Sequence, residues 1–192
     1  MKEPSVQLEQ LQRINVVGTS STGKSTFARR IADLLDAPHV ELDRLFWQPG
    51  WQPASPDRFQ VSLQQAIQGD RWVIDGNYND TRPIEHDRLT ALIWLDYSLP
   101  TTLSRAFRRA VRRSWTRQEI WPGTGNCESF RRNFASRDSV LLWTLTSYYA
   151  NRKKYRAMLR RPNLSSMEWI HLQHPRQAER FLQSVRDQIS LR

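Results

Sequence analysis

Residues 18–26 read Gly18-Thr19-Ser20-Ser21-Thr22-Gly23-Lys24-Ser25-Thr26, and this stretch decides the fold. In front of it stands Arg13-Ile14-Asn15-Val16-Val17, a short β-branched run of the kind that makes a buried strand. Behind it Phe27, Ile31, Leu34 and Leu35 share one face of a helix expected over Lys24 to Leu35. Strand, glycine-bearing turn and helix in that order make the pattern G-x-x-x-x-G-K-S/T, a P-loop. Backbone N–H groups that wrap a phosphate chain need glycines for close approach and unusual dihedrals. The helix N-terminus adds partial positive charge. The pattern predicts that Gly18 to Thr26 hold the phosphates of ATP, with Lys24 reaching the β/γ-phosphates and Ser25 ligating Mg²⁺.

Four more short apolar runs follow: His39-Val40-Glu41-Leu42-Asp43, Trp72-Val73-Ile74-Asp75, Leu92-Ile93-Trp94-Leu95-Asp96 and Glu168-Trp169-Ile170-His171-Leu172. Helical patterns lie between them. One opens at Ser55-Pro56-Asp57, a cap followed by proline, and another at Leu99-Pro100-Thr101. The second buries Leu103, Ala106, Phe107, Ala110 and Val111 by its spacing. Further helices are expected over about Asp138 to Arg160 and Pro175 to Ile189. Strands alternating with helices predict an α/β fold: a parallel sheet of five strands, covered by helices on both faces. Residues 1–12 read as a polar leader and 13–192 as one domain. Residues 114–130, with Pro122, Gly123 and Gly125, read as a loop or lid.

Ligands of such sheets sit beyond the carboxyl ends of the strands. Three runs end there in an aspartate. Asp75 is the first candidate to hold Mg²⁺, through water. Asp43 is the candidate to hold or deprotonate the phosphate acceptor, and Asp96 reads as mostly structural. Trp47 and Trp51 lie in a loop at the same edge, where apolar walls with a few polar anchors suit a small-molecule pocket. With Asp43 and Asn77 they form the candidate acceptor site.

The 192 residues carry a net charge of +10, from 29 Lys+Arg against 19 Asp+Glu. The excess is local. Residues 101–161 hold 15 Lys/Arg and only three acids, Glu119, Glu128 and Asp138, so the rest of the chain is slightly acidic. Arg105, Arg108, Arg109, Arg112, Arg113 and Arg117 form a run without lysine and without acidic partners at i±4. Arginine suits bidentate phosphate contacts, so Arg105, Arg109 and Arg113 are expected on the nucleotide. Arg152, Lys153, Lys154 and Arg156 lie near Tyr148, Tyr149 and Tyr155 at helical spacing, which favours a solvated helix face with aromatics inside.

One cysteine, Cys127, excludes an internal disulfide, and the scattered His39, His86, His171 and His174 offer no zinc spacing. No signal-peptide pattern or membrane-spanning window is visible, which makes the cytosol the expected compartment. The expected partners are a nucleoside triphosphate and a small-molecule acceptor. The alternative is a nucleic-acid-binding protein that uses ATP as a switch. The sequence gives no base-reading residue and no oligomeric state.

Several segments occur together and in order: the P-loop, Glu41-Leu42-Asp43-Arg44-Leu45-Phe46-Trp47, Pro49-Gly50-Trp51, Asp75-Gly76-Asn77-Tyr78 and Ile93-Trp94-Leu95-Asp96. In this the chain resembles the adenylate-kinase-related P-loop proteins often labelled "DNA topology modulation protein". The resemblance runs from about Arg13 to Leu182. It implies the fold of nucleoside monophosphate kinases, with sheet order 2-3-1-4-5 and a small arginine-rich lid. It also implies magnesium placed by the Asp75-Gly76 pair, and phosphate contacts from Arg105, Arg108, Arg109, Arg112 and Arg113. The segment between strands two and three is short for an AMP-gripping arm, and Asn77-Tyr78 stands where adenylate kinases continue aromatic-Pro-Arg. The acceptor therefore stays open.

Overall fold

The β-branched runs pair side by side as parallel strands β1 (Arg13–Gly18), β2 (His39–Glu41), β3 (Trp72–Asp75), β4 (Ala91–Leu95) and β5 (Glu168–Leu172). The pairs are β2 with β3, β3 with β1, β1 with β4, and β4 with β5. Counted within this sheet the order is 2-3-1-4-5, as the resemblance implies. Along the chain, two short strands interrupt that count: Trp47–Gln48 and Gln52–Pro53 form a separate antiparallel pair. The computed structural model describes residues 7–78, 88–116, 119–127, 140–160 and 167–191. Residues 1–6 of the leader, Arg117, the 128–130 end of the lid, Asp138 and Arg161 lie outside these.

The α-helices among the described residues are α1 (Lys24–Leu35), α2 (Leu42–Phe46), α3 (Pro56–Ala66), α4 (Leu99–Thr116), α5 (Val140–Leu159) and α6 (Pro175–Ser190). Side-chain alternation splits the core between the two faces of the sheet. Ile14, Val16, Val73, Ile93 and Leu95 face α1 and α6, where they meet Phe27, Ile31, Phe181, Leu182 and Val185. Val17, Trp72, Ile74, Leu92 and Trp94 face the other way, onto Phe59, Leu63, Tyr155 and Met158. The Ser55 hydroxyl caps α3 by accepting from Arg58 N–H.

The structure corrects four expectations. Leu8 and Leu11, inside the stretch read as a polar leader, are core residues beside β1. β2 stops at Glu41, because Leu42 turns inward as the first residue of α2, so Asp43 stands on a helical turn and not at a strand end. In α4 the buried line is Thr102, Ala106, Ala110 and Ser114, while Phe107 is 53 % exposed. The buried line consists of small residues, and α4 packs against α5. The expected lid divides: 114–116 are the last residues of α4, and the described part, 119–127, contains no arginine.

Candidate active site

β1 ends at Gly18 and α1 begins at Lys24, so the P-loop is a short turn with helix dipole and backbone N–H groups converging on one space. The turn is tightly specified. Gly18 has φ +148°, and a Cβ there would come within 2.5 Å of the Leu95 carbonyl oxygen on β4. Gly23 caps α1 in a left-handed conformation, φ +93°. Thr22 closes the loop on itself, its N–H and hydroxyl both donating to the Thr19 carbonyl at 3.3 and 2.9 Å. Lys24 Nζ donates to that carbonyl too, at 3.2 Å. Ser25 and Thr26 are exposed at the helix start, while Ser20 is half-buried and Ser21 is buried at φ +67°.

Asn77 secures the loop from β3. Its Nδ2 donates to the Gly18 carbonyl at 2.6 Å and its Oδ1 accepts from Gly18 N–H at 3.2 Å. Tyr155 donates to the same Oδ1 at 2.8 Å. Asn77, expected in the acceptor pocket, is thus spent on the P-loop backbone.

Two arginines one helical turn apart on α4 reach the loop from the other side. Arg105 donates to the Thr22 carbonyl at 2.9 Å, and Arg109 reaches Ser20 Oγ at 3.4 Å. Arg113 follows one turn further along, half-buried, whereas Arg108 and Arg112 are exposed. Burial lowers the pKa of Lys24 below its ordinary value. The nearby carboxylates Asp43 and Asp75 pull it back up, and Arg109 pushes it down. Lys24 therefore lies within electrostatic reach of two acids and an arginine, the composition expected around a transferring phosphate.

Asp75 is buried at the end of β3 on the face covered by α1. His39 Nε2 lies 3.4 Å from its Oδ1, without a hydrogen bond closing between the two. A buried carboxylate oxygen without a hydrogen-bond partner beside the start of a P-loop helix fits a water held by a metal ion. Among the described residues no group of three or more His, Cys, Asp or Glu forms a metal cage.

On the acceptor side, Asp43 Oδ1 accepts from the Tyr78 hydroxyl at 2.7 Å. Burial, then Asp43, drives the Tyr78 pKa far up, so the phenol keeps its proton. Beyond it runs a line of edge-to-face rings. Phe46 meets Trp47 at 4.9 Å, Trp47 meets Trp51 at 5.8 Å, and Trp51 meets Trp121 at 5.8 Å. Trp121 comes from the 119–127 loop, which Glu119 folds by accepting from Gly123 and Gly125 N–H. Those bonds, Gly125's first, hold the Glu119 carboxyl below its ordinary value.

Sequence reading did not single out Tyr78, Trp121, Asn126, Glu41 or His39. Tyr78, Glu41 and His39 stood inside quoted segments. Nothing local marked Trp121 or Asn126, whose partners lie about 75 residues away in the chain.

Asp96 is saturated elsewhere. Arg152 Nε approaches its Oδ1 at 2.7 Å, and His171 Nε2 its Oδ2 at 3.1 Å. Part of the later basic segment is thereby committed to a buried ion pair.

No family model matches this chain, and no curated protein matches it. Solved structures do. A shikimate kinase from Bacteroides thetaiotaomicron superposes with a TM-score of 0.51 at 14% identity, over 93% of this chain and 98% of that one. The chain has a P-loop kinase fold. A gluconokinase from Sinorhizobium meliloti 1021 has a TM-score of 0.49 at 16% identity, over 94% of this chain and 93% of that one. A sugar kinase from Janibacter sp. HTCC2649 has 0.46 at 19%, over 91% and 94%. Among the described residues, no helix of this P-loop kinase fold is long and apolar enough to cross a membrane.

Proposed function

We propose that the protein is an ATP-dependent phosphotransferase that moves the γ-phosphate to a small acceptor. The observation that carries this reading is a P-loop whose Lys24 donates to the Thr19 carbonyl and lies within electrostatic reach of Asp43, Asp75 and Arg109, with Arg109 also reaching Ser20 of the loop. The shared fold supports it. The Gly18 to Thr26 loop holds the triphosphate through backbone N–H groups other than those of Gly18 and Thr22, which donate to Asn77 and Thr19, and Lys24 neutralises the β/γ-phosphates. Arg109 and Arg113 draw charge from the transferring phosphoryl group as it develops. Arg105 supports the loop through Thr22 and lies close enough to Gly23 to share the phosphate load. Ser25 and, through water, Asp75 would hold Mg²⁺, which would supply positive charge to neutralise the phosphates.

The acceptor lies against Trp47 and Trp51, with its hydroxyl held by Asp43. An exposed carboxylate beside an apolar wall can orient such a hydroxyl and take its proton. Tyr78 steadies that carboxylate by hydrogen bonding to one oxygen and leaves the other for substrate. The quoted motifs are the ground for setting the chain beside the "DNA topology modulation protein" group. The nucleic-acid reading gains no support from the geometry, since Arg105 and Arg109 turn to the P-loop and Arg152 to Asp96.

The test is transfer of labelled γ-phosphate from ATP across nucleotides, nucleosides and small hydroxy metabolites. At least one acceptor is expected to be labelled, with label lost in Lys24→Ala. No labelled acceptor, together with tight, steeply salt-dependent DNA binding that ATP modulates, would favour the switch.

A further inference from the structure

The 119–127 loop does more than sit near the acceptor loop. Asn126 is fully buried, and its side chain grips the acceptor loop by the backbone: Nδ2 donates to the Gln48 carbonyl at 3.0 Å, and Oδ1 accepts from Trp51 N–H at 2.9 Å. Trp51 is held there at φ +61°, a conformation that a tryptophan adopts only when its surroundings impose it. Five residues before Asn126, Trp121 is buried with its ring against Trp51.

The other end of Trp121 points towards the metal side. Its indole N–H donates to Glu41 Oε2 at 3.4 Å. Glu41 Oε1 is bound by Arg29 at 2.9 Å and lies 3.9 Å from His39 Nδ1. The opposite edge of that imidazole lies 3.4 Å from Asp75 Oδ1. Glu41 and Asp75 are register partners on adjacent strands, so the two carboxylates share one face of the sheet with His39 between them. Contacts therefore run without a break from Gln48 and Trp51, through Trp121, Glu41 and His39, to Asp75.

We infer that Trp121, Glu41 and His39 are positioning residues that tie the placement of the acceptor loop to the placement of Asp75. The inference rests on the phosphotransferase reading, in which Asp75 serves the metal. Its physical basis is that Asp75 Oδ1 is buried without a hydrogen-bond partner among the described residues. The imidazole edge limits where the carboxylate can turn, and the other side of that imidazole faces Glu41 at 3.9 Å. A shift of Trp121 with the acceptor loop changes what holds Glu41 and so reaches Asp75. A kinase gains from this link, because a metal site set fully only when the acceptor loop is in place discourages transfer to water.

The probe is a non-hydrolysable ATP analogue, titrated calorimetrically into the full chain in excess Mg²⁺ and again in EDTA. The ratio of the two dissociation constants is the metal-dependent gain in affinity. Trp121→Phe keeps an aromatic ring against Trp51 and removes the N–H. It is expected to cut that gain about fivefold or more while leaving affinity in EDTA unchanged. Asn126→Ala, two contacts further from Asp75, is expected to cut it in the same direction, which a merely local packing role would not do. Combining Trp121→Phe with Glu41→Gln is expected to cost less than the sum of the two alone. Circular dichroism identifies a variant that fails to fold, in which case His39→Asn takes its place in the comparison. An unchanged metal-dependent gain in folded Trp121→Phe and His39→Asn overturns the inference and leaves the phosphotransferase reading standing. A wild-type chain that binds the analogue neither with nor without Mg²⁺ overturns both.

Discussion

Asn77 holds both backbone groups of Gly18, donating to the carbonyl at 2.6 Å and accepting from the N–H at 3.2 Å. One side chain at the end of β3 thus sets the first peptide of the phosphate loop at the end of β1. Asn77→Ala leaves two P-loop backbone groups unmatched and is expected to destabilise the fold by about 1–3 kcal/mol. Nucleotide affinity should fall with it. Tyr155→Phe removes one donor from the same amide oxygen and should cost less than about 1.5 kcal/mol. Urea unfolding of the two variants against wild type makes the comparison.

Gly18 admits no side chain. A Cβ would sit 2.5 Å from the Leu95 carbonyl oxygen, a backbone atom of the adjacent strand, at φ +148°. Gly18→Ala is expected to cost about 2–4 kcal/mol and to displace the loop. Gly69→Ala meets only the Arg71 carbonyl at 3.7 Å and serves as the control, within about 0.5 kcal/mol of wild type. Thermal unfolding of both measures the difference.

Lys24 carries a depressed pKa because burial disfavours its charged form. Between its folded pKa and the unfolded value of 10.5, the unfolded chain binds more protons than the folded one, so stability from this group rises with pH across that window. Lys24→Met removes the buried charge. The variant is expected to be more stable than wild type near pH 7, with the advantage shrinking as pH climbs towards 10.5. Paired melting curves from pH 7 to 10.5 show this, and a difference that does not change with pH contradicts it.

Arg152 and Asp96 form an ion pair whose carboxylate is 1% exposed. Removing one partner of such a pair leaves a buried charge. Arg152→Met is expected to cost about 2–4 kcal/mol, the lower part reflecting the His171 imidazole that stays beside Asp96. Denaturant unfolding with an unchanged m-value checks it. If instead DNA affinity drops and stability does not, Arg152 serves a nucleic acid.

The P-loop and its flanking strand and helix were legible in residues 13–35, because each element there is specified by near neighbours: β-branched spacing, glycines and a 3.6-residue apolar period. The aspartates and arginines were legible as types suited to phosphate chemistry. Their assignment to partners was not, since that depends on which strands become neighbours. Asn77 looked like a pocket residue in sequence and becomes a P-loop clamp only because β3 pairs with β1. Arg105 and Arg109 reach the P-loop and Arg108 is exposed, because the buried line of α4 runs through Thr102, Ala106, Ala110 and Ser114. The positive excess also gains its partners only in three dimensions, where Arg105 and Arg109 turn to the P-loop and Arg152 to the buried Asp96. Trp121, Asn126, Glu41 and His39 gain their roles from contacts that local pattern cannot encode, because a hydrogen bond between distant segments depends on the path of the whole chain between them.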